Sequence, residues 1–144
     1  MTQENKKLLL KDLCSRLPYG VKVNEDIQGD FTLIGLTKER AFTTCEVEGK
    51  FNDFPIELIK PYLFPLSSMT DEQWRELFET AGYEVREEYC GRHTEMYYYD
   101  MVGHNNTLYP NCDAIDWLNA HHFDYRGLIE KSLALDATNL GIYE

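Results

Sequence analysis

Cys90-x-x-His93 has the spacing of half a zinc site, and His104, Cys112, His121 and His122 follow it along the chain. A structural zinc ion needs four thiolate or imidazole ligands in a tetrahedron, usually supplied as two close pairs. Only the first pair is close here. Cys112 and His121 are nine residues apart, and neither a Cys-x-x-Cys nor a second His pair of metal-binding spacing completes the set. Cys90, His93 and Cys112 therefore stand as a weak metal-ligating alternative, and no metal or other cofactor is expected. The same residues allow a thiol nucleophile. Cys112 or Cys90 would be activated by His104 or His121, and Asp113 or Asp116 would orient the imidazole. No Gly-x-Ser-x-Gly elbow and no glycine-rich phosphate loop accompanies them. The expectation is a chain without catalytic residues, with a small enzyme or metal-binding protein as the alternative.

A different chemistry is suggested by Trp117, His121, His122, Tyr125 and Arg126, which crowd one short stretch. Tryptophan, tyrosine and arginine anchor many interfaces, so these five residues form a candidate recognition patch. Packing of Phe123 and Tyr125 into a corner between helices would explain the same residues without a partner. Two histidines at the end of a helix also complement its dipole when protonated. The run Tyr97-Tyr98-Tyr99 suits a strand. An aromatic platform for single-stranded nucleic acid would need a basic groove, whereas Glu87, Glu88, Glu95 and Asp100 flank this run.

Charge narrows the partner. The 144 residues carry a net charge of −11. Residues 1–70 hold ten acids and nine bases, and residues 71–144 hold fifteen acids and five bases. Such a chain is not a general binder of nucleic acid. A protein partner is expected instead, and one specific form is an acidic decoy that occupies the nucleic-acid site of a basic protein. No run of about 18 apolar residues exists to span a membrane, and Leu8-Leu9-Leu10 is too short for a signal peptide. The expected location is the cytoplasm, with Cys14, Cys45, Cys90 and Cys112 as thiols.

These side chains need a scaffold, and the pattern points to a single α+β domain over residues 1–144. The expected architecture is an antiparallel sheet of about four or five strands, packed by three or four helices. Thr2 caps a first helix that Pro18 stops near Arg16, with Leu10, Leu13, Cys14 and Leu17 as its inward stripe. Residues 19–23, 31–36 and 41–47 read as a meander of three strands. Pro55, Pro61 and Pro65 make residues 52–68 an ordered crossing segment without a long regular element. Thr70 and Gln73 form a capping box, with Met69 and Trp74 as the staple, for a helix burying Trp74, Leu77, Phe78 and Ala81 and ending at Gly82. Residues 83–89 and 95–102 read as strands and 103–111 as a loop. A helix over 113–121 buries Ala114, Trp117 and Leu118. A short helix over 125–131 follows, and residues 136–144 are expected to fray.

Three segments carry a resemblance: residues 8–21 (LLLKDLCSRLPYGV), 60–70 (KPYLFPLSSMT) and 116–131 (DWLNAHHFDYRGLIEK), together 41 of the 144 residues. They resemble a family of small uncharacterised proteins encoded in gut-bacterial genomes and their phages or mobile elements. Related sequences often carry Arg where Phe64 stands and Gly where Ser132 stands. The resemblance implies a cytoplasmic protein with no assigned activity, and it supplies no catalytic residue.

Overall fold

The computed structural model describes residues 1–45, 49–82 and 111–144. The fold is α+β, with seven strands and three α-helices among the described residues. The chain divides into two compact units. The first comprises Met1–Phe64 and Arg126–Glu144, and the second comprises Pro65–Tyr125.

The first unit opens with α1 (Gln3–Arg16), whose N-cap Thr2 accepts a hydrogen bond from the Asn5 amide. Leu17-Pro18-Tyr19 then form a 3-10 turn, and Gly20 takes the left-handed conformation that ends it. Pro18 stops the helix where the sequence predicts. The buried stripe, however, is Leu9, Asp12, Leu13 and Arg16. Leu10 and Leu17 pack only partly against the core. Cys14, expected to be a small core residue, is exposed. The reason is the pair Asp12–Arg16. Both side chains are fully buried, and the guanidinium donates to both carboxylate oxygens, Nε to Oδ2 at 2.8 Å and Nη2 to Oδ1 at 3.1 Å. A bidentate pair satisfies two charges that would otherwise be too costly to bury. Its i,i+4 spacing places both charges on the inward face, and the helix is rotated accordingly.

Five strands follow: β1 (Lys22–Glu25), β2 (Gly29–Leu36), β3 (Arg40–Thr44), β4 (Phe51–Pro55) and β5 (Ile59–Pro65). They lie in the order β4-β3-β2-β1-β5, each antiparallel to its neighbour. The β1–β2 hairpin turns at Glu25. Its buried carboxylate accepts from the Ile27 and Gln28 amides at 3.1 and 2.7 Å, and Gly29 supplies the positive φ. A bulge between Leu33 and Gly35 shifts the register of β2 against β3. Alternation buries Val23, Phe31, Leu33, Ala41 and Phe54 against Leu9 and Leu13 of α1.

β4 and β5 correct the prediction for residues 52–68. Pro55 and Pro65 fall at the last positions of strands, where a 3-10 turn follows. Pro61 lies inside β5, opposite Val23. In an antiparallel ladder alternate pairs exchange no hydrogen bonds, so a proline at such a pair costs nothing on that side. A seventh strand, β7 (Leu135–Asp136), joins β5 in parallel, Tyr62 facing Leu135 and Leu63 facing Asp136. The sheet is therefore mixed and has more strands than the antiparallel four or five expected. Residues 128–132 make a turn rather than a helix. The Leu133 and Ser132 amides bond back to the Leu128 and Ile129 carbonyls, with Ser132 at φ 58°. Leu128, Leu133 and Ala134 complete the core of this unit.

The second unit holds α2 (Asp71–Thr80), α3 (Cys112–Ala120) and the two-residue strand β6 (Phe123–Asp124). The expected capping box is present: Thr70 Oγ1 accepts from the Gln73 amide, and Gln73 Oε1 accepts from the Thr70 amide. Met69, Trp74, Leu77, Phe78 and Ala81 are buried, and Gly82 takes φ 82° just past the helix. The predicted strands over 83–89 and 95–102, and the loop before Asn111, lie outside the described residues. So do Cys90, His93, His104 and the tyrosine run.

Candidate interaction faces

α3 and its C-cap position two of the five residues of the sequence-predicted patch, Trp117 and His121. Asn111 caps this helix by accepting from the Ala114 amide at 2.9 Å, while its Nδ2 donates to the Ala81 carbonyl at the end of α2. One side chain thus terminates one helix and starts the next, and α2 and α3 pack together. Ala114, Trp117 and Leu118 face inward as predicted. Trp117, only 7% exposed, lies between two rings. His121 stacks on it at 3.9 Å between centroids, and Phe123 lies nearly parallel to it at 5.8 Å. His121 Nδ1 also approaches the Trp117 carbonyl at 2.9 Å. The end of α3 and the start of β6 thus share one aromatic cluster.

The other three residues of the patch go elsewhere. His122 is buried at φ 61°, its amide bonded to the Asn119 carbonyl. Tyr125 donates its hydroxyl to Asn119 Oδ1 at 3.0 Å. Arg126 belongs to the first unit. Its Nη2 donates to Ser15 Oγ at 3.3 Å, and its Nε lies 3.9 Å from Asp12 Oδ1, beside the buried pair of α1. Trp117 and His121 are thus brought together, and Arg126 joins a polar network that includes Asp12, Ser15 and Arg16. Cys112 is exposed at the first position of α3. Among the described residues no three His, Cys, Asp or Glu side chains converge as an ion site would require.

Two faces stand exposed among the described residues. The first is acidic. Pro65–Tyr125 contains twelve Asp and Glu against three Arg, and no lysine. Asp71, Glu72, Glu76 and Glu79 of α2 are exposed opposite Trp74, Leu77 and Phe78, and Asp113 and Asp116 of α3 are exposed as well. Asp71, Glu72 and Asp113 lie in the first turns of their helices, where the dipole favours them. The periodicity of α2 made this face readable in the sequence.

The second is apolar and lies on the outer side of β2–β4. Ile34, Phe42 and Phe51 point away from the core, and Phe51 is 78% exposed. Thr44 faces Phe51 and Asp53 faces Phe42 across the β3–β4 ladder. Arg40 is ion-paired with Asp53 and also donates to the Asp53 carbonyl at 3.3 Å. Its guanidinium thus occupies part of the edge strand β4, a common defence against unwanted strand pairing. The sequence predicts the strand of Phe42 but not the face, because alternation alone does not say which side lacks helices. β3 offered the signal in its pattern: Phe42 and Thr44 on one side, Thr43 and Cys45 on the other.

Elsewhere in the first unit, Lys6 is clamped between Glu39 and Glu57, 2.7 Å from the latter. The two carboxylates hold the ammonium above its ordinary pKa, and the ammonium holds Glu57 below its own. Tyr62 donates to Asp30 Oδ1 at 2.8 Å. Burial and then this carboxylate push its phenol up to about 12.

No helix of the described residues is long and apolar enough to cross a membrane. No family model, curated protein or solved structure matches the chain at a significant level.

Proposed function

We propose that the chain is a non-enzymatic accessory protein that binds a basic protein partner through the acidic face of α2 and α3. The observation that carries this reading is the display of Asp71, Glu72, Glu76 and Glu79 in solvent, on a helix whose opposite side is anchored by Trp74, Leu77 and Phe78. A solvated acidic face on a fixed helix presents its field at defined spacing. Such a face steers a basic partner and sets register through charge complementarity. In the specific form of this reading, the carboxylates occupy the nucleic-acid site of the partner as a decoy. The alternative of a Cys/His enzyme or metal protein depends on Cys90 and His93, outside the described residues, together with the exposed Cys112.

The test is capture from a native lysate on the immobilised chain, at low salt and again at about 0.5 M, where the Debye length falls to a few ångströms. A basic partner that is retained at low salt, released at high salt and absent with Glu72→Gln/Glu76→Gln/Glu79→Gln supports the reading. A basic partner retained equally at both salt levels, or by the triple variant as well as by the parent, refutes it. For the decoy form, nucleic acid must compete with the chain for the recovered protein.

A further inference from the structure

The β1–β5 ladder is interrupted in an unusual way. Its register pairs Glu25 with Ile59, Asn24 with Lys60 and Val23 with Pro61, so the next pair in line is Lys22 with Tyr62. That rung is not made directly. The Lys22 amide donates to the hydroxyl of Tyr143 at 3.1 Å, and the same hydroxyl donates to the Tyr62 carbonyl at 2.7 Å. A side chain 121 residues away in sequence from Lys22 replaces one backbone hydrogen bond with two. The phenol ring lies 5.9 Å from that of Phe64, on the same strand.

The segment that brings Tyr143 there is tied down at its other end. β7 lies along Tyr62 and Leu63, and the Ala137 amide donates to the Leu63 carbonyl at 2.8 Å. Ala137 is buried. Between the two ties the chain makes two tight turns. The Leu140 amide returns to the Ala137 carbonyl and the Glu144 amide to the Gly141 carbonyl, with Asn139 and Gly141 both at φ near 60°. Asn and Gly are the residues that take this conformation at least cost.

We propose that residues 135–144 are a strap fastened by the Tyr143 hydroxyl, and that the strap and the upper end of the β1–β5 seam open and close as one unit. The strap crosses the seam through Tyr143 and holds β5 through the main-chain bond at Leu63. Loss of the hydroxyl contact frees the Lys22 amide and the Tyr62 carbonyl, and it removes the anchor that keeps Ala137 against Leu63. The open state presents a main-chain donor on β1 and two main-chain acceptors on β5. The closed state hides all three. Such a local opening is a sub-global event, distinct from unfolding of the hairpins β1–β2 and β3–β4.

The test is amide hydrogen exchange on the full chain. In the unmodified protein, Lys22 and Ala137 should exchange through a shared opening, with the same dependence on low denaturant. That opening should occur more readily than the one reported by the Leu33 amide, which bonds to Val21 inside the β1–β2 hairpin. In Tyr143→Phe, protection at Lys22 and Ala137 should fall together by about tenfold or more, with Leu33 unchanged. If Lys22 and Ala137 exchange only by global unfolding, or respond to Tyr143→Phe separately or not at all, the strap is not a unit. The measurement on the unmodified chain decides the matter even where the variant folds poorly.

Discussion

Among the described residues, α1 of the first unit and α2 of the second treat charge in opposite ways. Outside Pro65–Tyr125 the chain carries thirteen acids and eleven bases, including all eight lysines; inside it there are twelve acids, three arginines and all four histidines. The near-balanced unit takes charge into its structure. Asp12 and Arg16 are buried, Arg126 lies beside them, and Lys6 is held between Glu39 and Glu57. Among its described residues the acidic unit buries Trp74, Leu77, Phe78, Trp117 and Phe123, with Asp124 as its one buried carboxylate, and leaves the carboxylates of α2 in water. Charge that is paired and buried is structural and intolerant of change. Charge that is unpaired and solvated is nearly neutral for stability, and it is available to a partner.

The largest effect should come from breaking the buried pair. Arg16→Ala leaves Asp12 in the interior with a weakened set of partners and should cost about 3–5 kcal/mol by urea denaturation, whereas Glu76→Gln should change stability by less than about 0.5 kcal/mol. Comparable losses for the two would erase the contrast between the units.

Next is the strap. Tyr143→Phe removes the acceptor of the Lys22 amide and the donor to the Tyr62 carbonyl, and it should destabilise by about 1–3 kcal/mol. A cap in the second unit should come slightly below it. Asn111→Ala loses both the α3 cap and the bond to Ala81, for about 1–2 kcal/mol, with lowered helicity in circular dichroism as the readout.

The smallest effect is on the alkaline limb. The phenol of Tyr62 is raised from 10.0 to about 12 in the folded chain. A group whose pKa is raised by folding contributes stability that is complete below its unfolded pKa and lost as pH climbs through the folded one. The contribution of Tyr62 is therefore intact below pH 10 and declines between pH 10 and about 12. In Tyr62→Phe this part of the decline should be absent from the stability–pH curve. An unchanged slope would show that folding, through burial and the bond to Asp30, does not raise the Tyr62 phenol.

What the sequence made legible depends on how local the physics was. The capping box of Thr70 and Gln73, the stop at Pro18 and the inward face of α3 all follow from residues within one turn, and all are present. The stripe of α1 is not legible, because Asp12 and Arg16 look like solvent-facing residues until each is seen as the other's partner. β4 and β5 were masked by prolines that sit at strand ends or opposite a pair needing no amide. Residues 136–144, polar and rich in turn formers, look like a fraying end; Tyr143 holds them through two groups more than eighty residues away in sequence. The five residues of the candidate patch show the same limit. Trp117 and His121 stack as neighbours on one helix face, while Arg126 serves the buried pair of α1, which no spacing in the sequence announces.

The measurement that tests the central claim most directly is the affinity of the captured partner for the chain across a salt series, compared between the parent and Glu72→Gln/Glu76→Gln/Glu79→Gln. Binding by the acidic face predicts steep weakening with salt in the parent, and a weaker, flatter dependence in a triple variant whose urea midpoint is unchanged. Equal affinities and equal slopes would contradict it, because the carboxylates of α2 would then be solvated surface and nothing more.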